Sequence, residues 1–301
     1  MAKYYDCQTK NICITHGGQE ALYLFYRSFL RAEDHVITFT PGWSQSWIIP
    51  EQIGCKLSVI PLTSNNNFDL DIDEIKNKIQ ENTKLIILNY PNNPTGVDLS
   101  PETRLALIQL CNQYNIFILN DEEYLHQYEN SIIKKTNFSG AVGSLSKVYG
   151  FPATRVGWFV GPEDIVKQIV NYRRYVSVCN SNLCELLALD ILKQKDKHIK
   201  RYKDLVSQGV EVLRAWCSQI HELKLIEPSN TPYAYIILPG SWDSDKFCRD
   251  ILKEQKVLIM PSSVFEHKEN SFRITFAREA SILHEGLNRI LSHIKDLRQK
   301  L

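Results

Sequence analysis

The sequence predicts an α/β fold: a mainly parallel sheet sandwiched by helices, followed by a smaller α+β unit. Two observations predict it. Over the first 160 residues, short β-rich runs alternate with helical segments, the pattern of parallel strands joined by crossover helices. From residue 163 onward, long helical stretches precede shorter strands. This divides the chain into 1–204 and 205–301. There is no internal repeat and no low-complexity linker.

The elements follow in order. Residues 19–31 read as a helix and 36–39 (Val-Ile-Thr-Phe) as a short buried strand. A helix at 43–53 and a strand at 57–60 come next. Residues 71–80 carry Ile72, Ile75 and Ile79 at helical spacing. The run 84–89 is β-rich and ends in a Pro/Asn/Gly cluster. A helix at 101–114 starts with Ser100 as N-cap and Pro101 in its first turn. Strands are predicted at 116–119, 141–144 and 156–160. Helical stretches cover 163–194 and 198–219. Strands at 233–237, 257–260 and 272–276, with helices at 244–254 and 279–297, complete the chain.

Composition excludes several classes. Hydrophobic residues make up 44% of the 301, charged residues 23%, and the formal charge is +1. A basic stripe for nucleic acid or a membrane surface is absent, and the Lys/Arg cluster of 190–203 is interrupted by Asp190, Asp196 and Asp204, as on a solvated helix face. The eight cysteines show no CxxC spacing and no nearby His at ligand spacing, so neither a zinc site nor a disulfide framework is expected. No signal peptide and no apolar run near transmembrane length is found. A cytoplasmic location is expected.

Four clusters carry chemistry. They are Asn89-Tyr90-Pro91-Asn92-Asn93-Pro94-Thr95-Gly96 after a strand, Asp121-Glu122-Glu123-Tyr124 at the end of the next, Ser144-Leu145-Ser146-Lys147 with Arg155 eight residues beyond Lys147, and Arg273 within an apolar strand. Singly they read as a turn, a solvated strand end, a Ser-rich loop and a structural ion pair. Ligands of parallel α/β sheets sit outside the carboxyl ends of the strands, where the first three clusters lie. The inventory suits an anionic aromatic cofactor. Neither GxGxxG before a helix nor GxxxxGK[ST] occurs, which removes the Rossmann and P-loop readings.

In this order the clusters resemble fold-type I pyridoxal-phosphate enzymes, and more narrowly the class I/II aminotransferase superfamily, from about Asn11 to the C-terminus. The resemblance implies a seven-stranded-type large domain, pyridoxal 5'-phosphate as cofactor, and transfer of an amino group from an amino acid to a 2-oxo acid. It implies that Lys147 forms a Schiff base with the cofactor and moves the substrate α-proton; cationic neighbours would help this Lys lose its charge. Asp121 would pair with the pyridine nitrogen. Tyr124 and Asn93 would hold the ring's phenolic oxygen, and Ser144, Ser146 and Arg155 the phosphate. Thr15-His16-Gly17-Gly18-Gln19 matches the family's glycine-rich turn, with Gly18 and Gln19 offering amides at a helix N-terminus. On its own this is a turn, and His16 reads as a turn histidine. Trp43 would stack on the ring, a contact of about 0.5–1.5 kcal/mol, with Trp47 as core. Arg273, with Asn93, would take the substrate carboxylate. A homodimer is implied.

Two departures from the family pattern stand out. Pro152-Ala153-Thr154 precedes Arg155 where a small apolar pair is usual. The family's further N-terminal segment, with an arm and a Tyr reaching the neighbouring phosphate, would precede Met1, and Met1–Tyr5 reads as the tail of a longer helix. Two alternatives stay open. One is a lyase, decarboxylase or amino-acid cyclase or oxidase on the same cofactor: Ser144–Pro152 also resembles members that modify arginine in peptide-antibiotic pathways, and Glu122 and Glu123 would suit a cationic substrate. The other is a catalytically silent, shortened homologue acting as a binding partner.

Overall fold

Alternate side chains of each strand point to opposite faces, and in the computed structural model, which describes residues 1–300, the two faces carry two separate apolar clusters. The main sheet contains β1 (Ile12–Thr15), β2 (His35–Thr40), β3 (Lys56–Pro61), β4 (Thr83–Leu88), β5 (Phe117–Asp121), β6 (Ser139–Ser144) and β7 (Gly157–Val160). Their spatial order is β1-β7-β6-β5-β4-β2-β3. Neighbours are parallel except where β7 pairs with β6 and β1.

Helices α1 (Ala2–Tyr5), α2 (Gly17–Phe29), α3 (Gln45–Ile53), α4 (Ile72–Lys78), α5 (Pro101–Tyr114) and α6 (Glu163–Arg173) accompany the sheet. On one face, Leu85, Ile87, Phe117, Leu119, Val142 and Phe159 pack with Phe25 of α2 and Ile169 of α6. On the other, Ile86, Leu88, Ile118, Ala141 and Trp158 join Leu107 and Ile108 of α5. Burying a large aliphatic or aromatic side chain contributes about 1.5–3 kcal/mol, so both faces anchor the strands in register. Helix α5 starts as the sequence predicts: Ser100 Oγ accepts from Thr103 N at 3.1 Å, with Pro101 next.

Six of the seven strands are predicted runs; β1 is not. It is a four-residue edge strand, too short for periodicity to register. The helical stretch predicted over 163–194 is divided into α6 and α7 (Asn182–Lys193). Val176, Ser177 and Val178 donate their amides back to Arg173 O, Val178 takes φ +62°, and Ser181 caps the next helix.

A second sheet of β8 (Lys224–Ile226), β9 (Tyr233–Ile237), β10 (Met260–Pro261) and β11 (Ser271–Thr275) is antiparallel, in order β10-β11-β9-β8. The strand predicted at 257–260 is reduced to Met260–Pro261, and β8 is an unpredicted edge. Helices α8 (Lys195–Cys217), α9 (Ser244–Asp250) and α10 (Ala280–Lys300) complete the fold. Leu213 and Trp216 of α8, Tyr235 of β9 and Ile290 of α10 share the apolar cluster with the α5 face of the main sheet.

Candidate active site

The segments leaving the carboxyl ends of β1, β2, β4, β5 and β6 line one cavity of about 530 Å³. Gly18, Gln19, Trp43, Asn93, Asp121, Tyr124, Ser146, Lys147, Arg155 and Arg273 all line it. Register explains part of this convergence: Thr15 and Ser144 both pair with Gly157. The turn after β1, the lysine segment after β6 and the arginine before β7 therefore start from one row of the sheet.

Gly157 is what lets them meet. A Cβ there would lie 2.3 Å from Gly17 C and 2.5 Å from Gly18 N. At Gly17, with φ +79°, a Cβ would lie 2.6 Å from Arg155 Nη2, so the guanidinium rests on bare backbone. The first amides of α2 have no intrahelical acceptor by position, and no side chain caps this helix. They are available to an anion, and the helix dipole favours one there.

The ring end of the cavity is held by side-chain amides. Asn89 Nδ2 donates to Asp121 O at 3.2 Å, and Asn89 Oδ1 accepts from Asn93 N at 3.0 Å. Asn93 Oδ1 accepts from Arg273 Nη1 at 2.7 Å. Asn93 is thus oriented by its carbonyl, leaving its NH2 for the cavity. Arg273 lies over the Tyr233 and Phe265 rings, 5.3 and 5.0 Å from their centroids. Tyr233 meets Tyr124 edge-on at 4.9 Å.

Asp121 is buried, and its carboxyl is pushed well above the usual carboxylate range, first by burial and then by the neighbouring charge of Glu123. Burial likewise raises the Tyr124 phenol. Trp43 lines the cavity with 37% of its surface open, whereas Trp47 is buried. His16 does not line the cavity; its Nε2 lies 3.3 Å from Cys179 O.

Several placements differ from expectation. Ser144 is buried behind the cavity wall, where its Oγ donates to Glu123 Oε2 at 2.6 Å and accepts from Ser146 N at 3.0 Å. Glu123 is a cavity-wall residue, not a solvated strand end. Glu122 points elsewhere: Oε1 accepts from Ile132 N at 2.8 Å, Oε2 has no partner among the described residues, and burial pushes the carboxyl up to about 7. Lys147 faces Asp121 and Glu123 besides Arg155, rather than a purely cationic surround.

The reading of 190–203 as a solvated face is corrected in part. Lys193 and Lys200 do pair with Asp190 and Asp204 on the surface, but His198, Arg201, Tyr202 and Leu205 line the cavity. Their i, i+3, i+4, i+7 spacing is one helix face, a signal that charge counting overlooks.

Among the described residues, no cluster of His, Cys, Asp and Glu could hold a metal, and no helix is long and apolar enough to cross a membrane.

The profile of the family described as Aminotransferase class I and II matches residues 1–290. Aspartate aminotransferase from Pyrococcus horikoshii is 29% identical over 300 residues, covering 96% of this chain and 77% of that protein. Capreomycidine synthase from Streptomyces vinaceus is 28% identical over 282 residues, covering 92% and 72%. A solved PLP-dependent aminotransferase from Streptococcus suis 89-1591 has a TM-score of 0.91 at 26% identity, covering 95% and 77%.

Proposed function

The chain belongs to the class I and II aminotransferases, and on that premise we propose that Lys147 is the residue through which it works. It is a pyridoxal 5'-phosphate-dependent enzyme that moves an amino group from an amino acid to a 2-oxo acid. The observation that carries the assignment is convergence: Lys147, Asp121, Arg155 and Arg273 come from separate segments to one cavity.

The cavity suits the cofactor. Its volume is that of a typical small-molecule site, and the uncapped first turn of α2 beside Arg155 is built for an anion. When bound, pyridoxal phosphate supplies an aldehyde that condenses with amines and a ring that accepts electrons. Lys147 Nζ would hold that aldehyde and, once displaced by the substrate amine, carry the proton removed from the substrate Cα. The Asp121 carboxylate would keep a proton on the pyridine nitrogen. The Tyr124 hydroxyl and the Asn93 NH2 would hold the phenolic oxygen. Gly18 N, Gln19 N, Ser146 and Arg155 would hold the phosphate, with Ser144 reaching it only by exchanging its bond to Glu123. Trp43 would cover one ring face. Arg273, fixed by Asn93 and stacked on Tyr233, would grip the substrate carboxylate.

Lys147→Ala should abolish the visible absorbance that survives dialysis and reduce transfer by ~10²–10⁴-fold or more. Full transfer by this variant would overturn the assignment. In wild type, an amino acid alone should yield about one 2-oxo acid per site, since transfer proceeds in two halves.

A homodimer is favoured by exposed apolar side chains between α6 and the end of α7: Tyr175, Val178, Leu183 and Leu186 are 90%, 69%, 68% and 62% open. A cytoplasmic location agrees with eight free cysteines. The division into a cofactor unit, 1–204, and a smaller unit, 205–301, places its boundary within α8, which would couple the two.

A further inference from the structure

The anion-binding end of the cavity already holds an anionic group of the protein's own. Glu123 Oε2 accepts from Ser144 Oγ at 2.6 Å. Its other oxygen lies against Gly18, where a Cβ would sit 2.0 Å from it. The carboxyl group is therefore wedged between the end of β6 and the first turn of α2, beside the amides and the guanidinium assigned above to the phosphate.

The groups facing Glu123 come from every element around it. Asp121 and Tyr124 follow from β5, Ser144 and Lys147 from β6, Arg155 from the turn before β7, and Tyr5 from α1. The charged group in the first turn of α2, Glu20, is turned away and accepts from His16 N at 2.6 Å. Two cations thus serve this corner, Lys147 and Arg155. Once Lys147 is engaged by an aldehyde it no longer serves as a free ammonium, and Arg155, with the first amides of α2, is left to balance both a phosphate and a carboxylate.

We propose that Glu123 makes binding of a phosphate ester at this site proton-coupled: the carboxylate takes one proton from solvent and becomes a neutral acid as the phosphate enters. The neutral acid keeps its bond to Ser144 and can donate its own proton to a phosphate oxygen. This rests on the reading of the cavity as the cofactor site. Burial already raises the Glu123 carboxyl in the unliganded protein, and a neighbouring phosphate acts in the same direction. Affinity for the phosphate ester therefore falls as pH rises through the unliganded Glu123 pKa.

Calorimetric titration of the cofactor-free protein tests this, run in buffers of different ionisation enthalpy between pH 6 and 9. The ligands are pyridoxal phosphate and pyridoxal, and the proteins are wild type, Glu123→Gln and Glu123→Ala. Wild type should take up about one more proton per pyridoxal phosphate than either variant. Protons exchanged by the ligand itself cancel in that difference. Near pH 8, Glu123→Gln should bind pyridoxal phosphate more tightly by ~10-fold for each pH unit above the Glu123 pKa. Pyridoxal, which engages Lys147 but brings no phosphate, should show both differences much reduced. Equal proton uptake and parallel pH profiles in wild type and the Gln variant would overturn the proposal, as would a difference of the same size with pyridoxal. If one variant fails to fold, the other carries the comparison. No binding of pyridoxal phosphate by any of the three would instead overturn the cofactor-site reading, and this proposal with it.

Discussion

Arg273 and Asn93 lie 180 residues apart, yet a 2.7 Å bond joins them, while Asn89 holds the Asn93 backbone independently. Hydrogen bonds to charged groups contribute about 1.5–3 kcal/mol. Arg273→Gln should therefore raise KM for the amino acid by ~10–100-fold, with cofactor retention unchanged; steady-state kinetics and dialysis measure the two. Glu122 makes a stability prediction. Its carboxyl titrates near 7 in the folded protein, above the ordinary value, because of burial. The contribution is present in full below the ordinary carboxylate pKa and is lost as pH rises through about 7. Glu122→Gln should remove that loss, leaving the variant about 2–3 kcal/mol more stable than wild type near pH 8, as read by denaturant unfolding of the cofactor-free protein. Residue identities at the site were legible because the chemistry demands particular types: an amine, a carboxylate, a guanidinium. The position of Glu123 was not, since Asp-Glu-Glu at a strand end has the composition of a solvated edge and only the tertiary contact with Gly18 shows otherwise.

Turn chemistry made many of the elements readable. Ser100-Pro101 announces α5 to the residue, and the apolar runs within β2, β4 and β5 announce strands buried on both faces. β1 escapes because four residues at an edge draw their stability from pairing with β7 and little from their own pattern. That pairing depends on a missing side chain. Gly157→Ala would drive a methyl group into the Gly17–Gly18 backbone. Such overpacking costs about 1–3 kcal/mol, and the displaced turn should also weaken retention of the cofactor. Thermal melts with and without added pyridoxal phosphate separate the two effects: ligand stabilisation should shrink more than the melting temperature of the unliganded protein.

For the molecule as a whole, the apolar face of α7 is the feature that composition could not reveal, because leucines at helical spacing read equally well as core. Leu183→Asp combined with Leu186→Asp should shift the protein from dimer to monomer in light scattering while leaving the fold, read by circular dichroism, unchanged. A monomeric wild type would refute the dimer reading. The apolar core runs from the main sheet through α8 to the second sheet, which predicts that the 1–204 and 205–301 units unfold together: Trp216→Ala should cost about 3–5 kcal/mol and lower both near-ultraviolet circular dichroism and cofactor retention in one transition.

The antiparallel pairing of β6 with β7 has a consequence for the order in which the site matures. Ser144 and Gly157 are cross-strand partners, so the lysine and the arginine between them belong to one antiparallel pair whose connection, residues 145–156, is local in sequence. Contacts local in sequence form faster than distant ones and need little of the remaining chain. The carboxylate clamp instead joins distant parts of the sequence across two sheets. Opening can be local, and this clamp hangs on side chains rather than on a strand pairing. Local loosening of that clamp, short of the single unfolding transition, should leave a form that still carries its cofactor but is blind to its substrate.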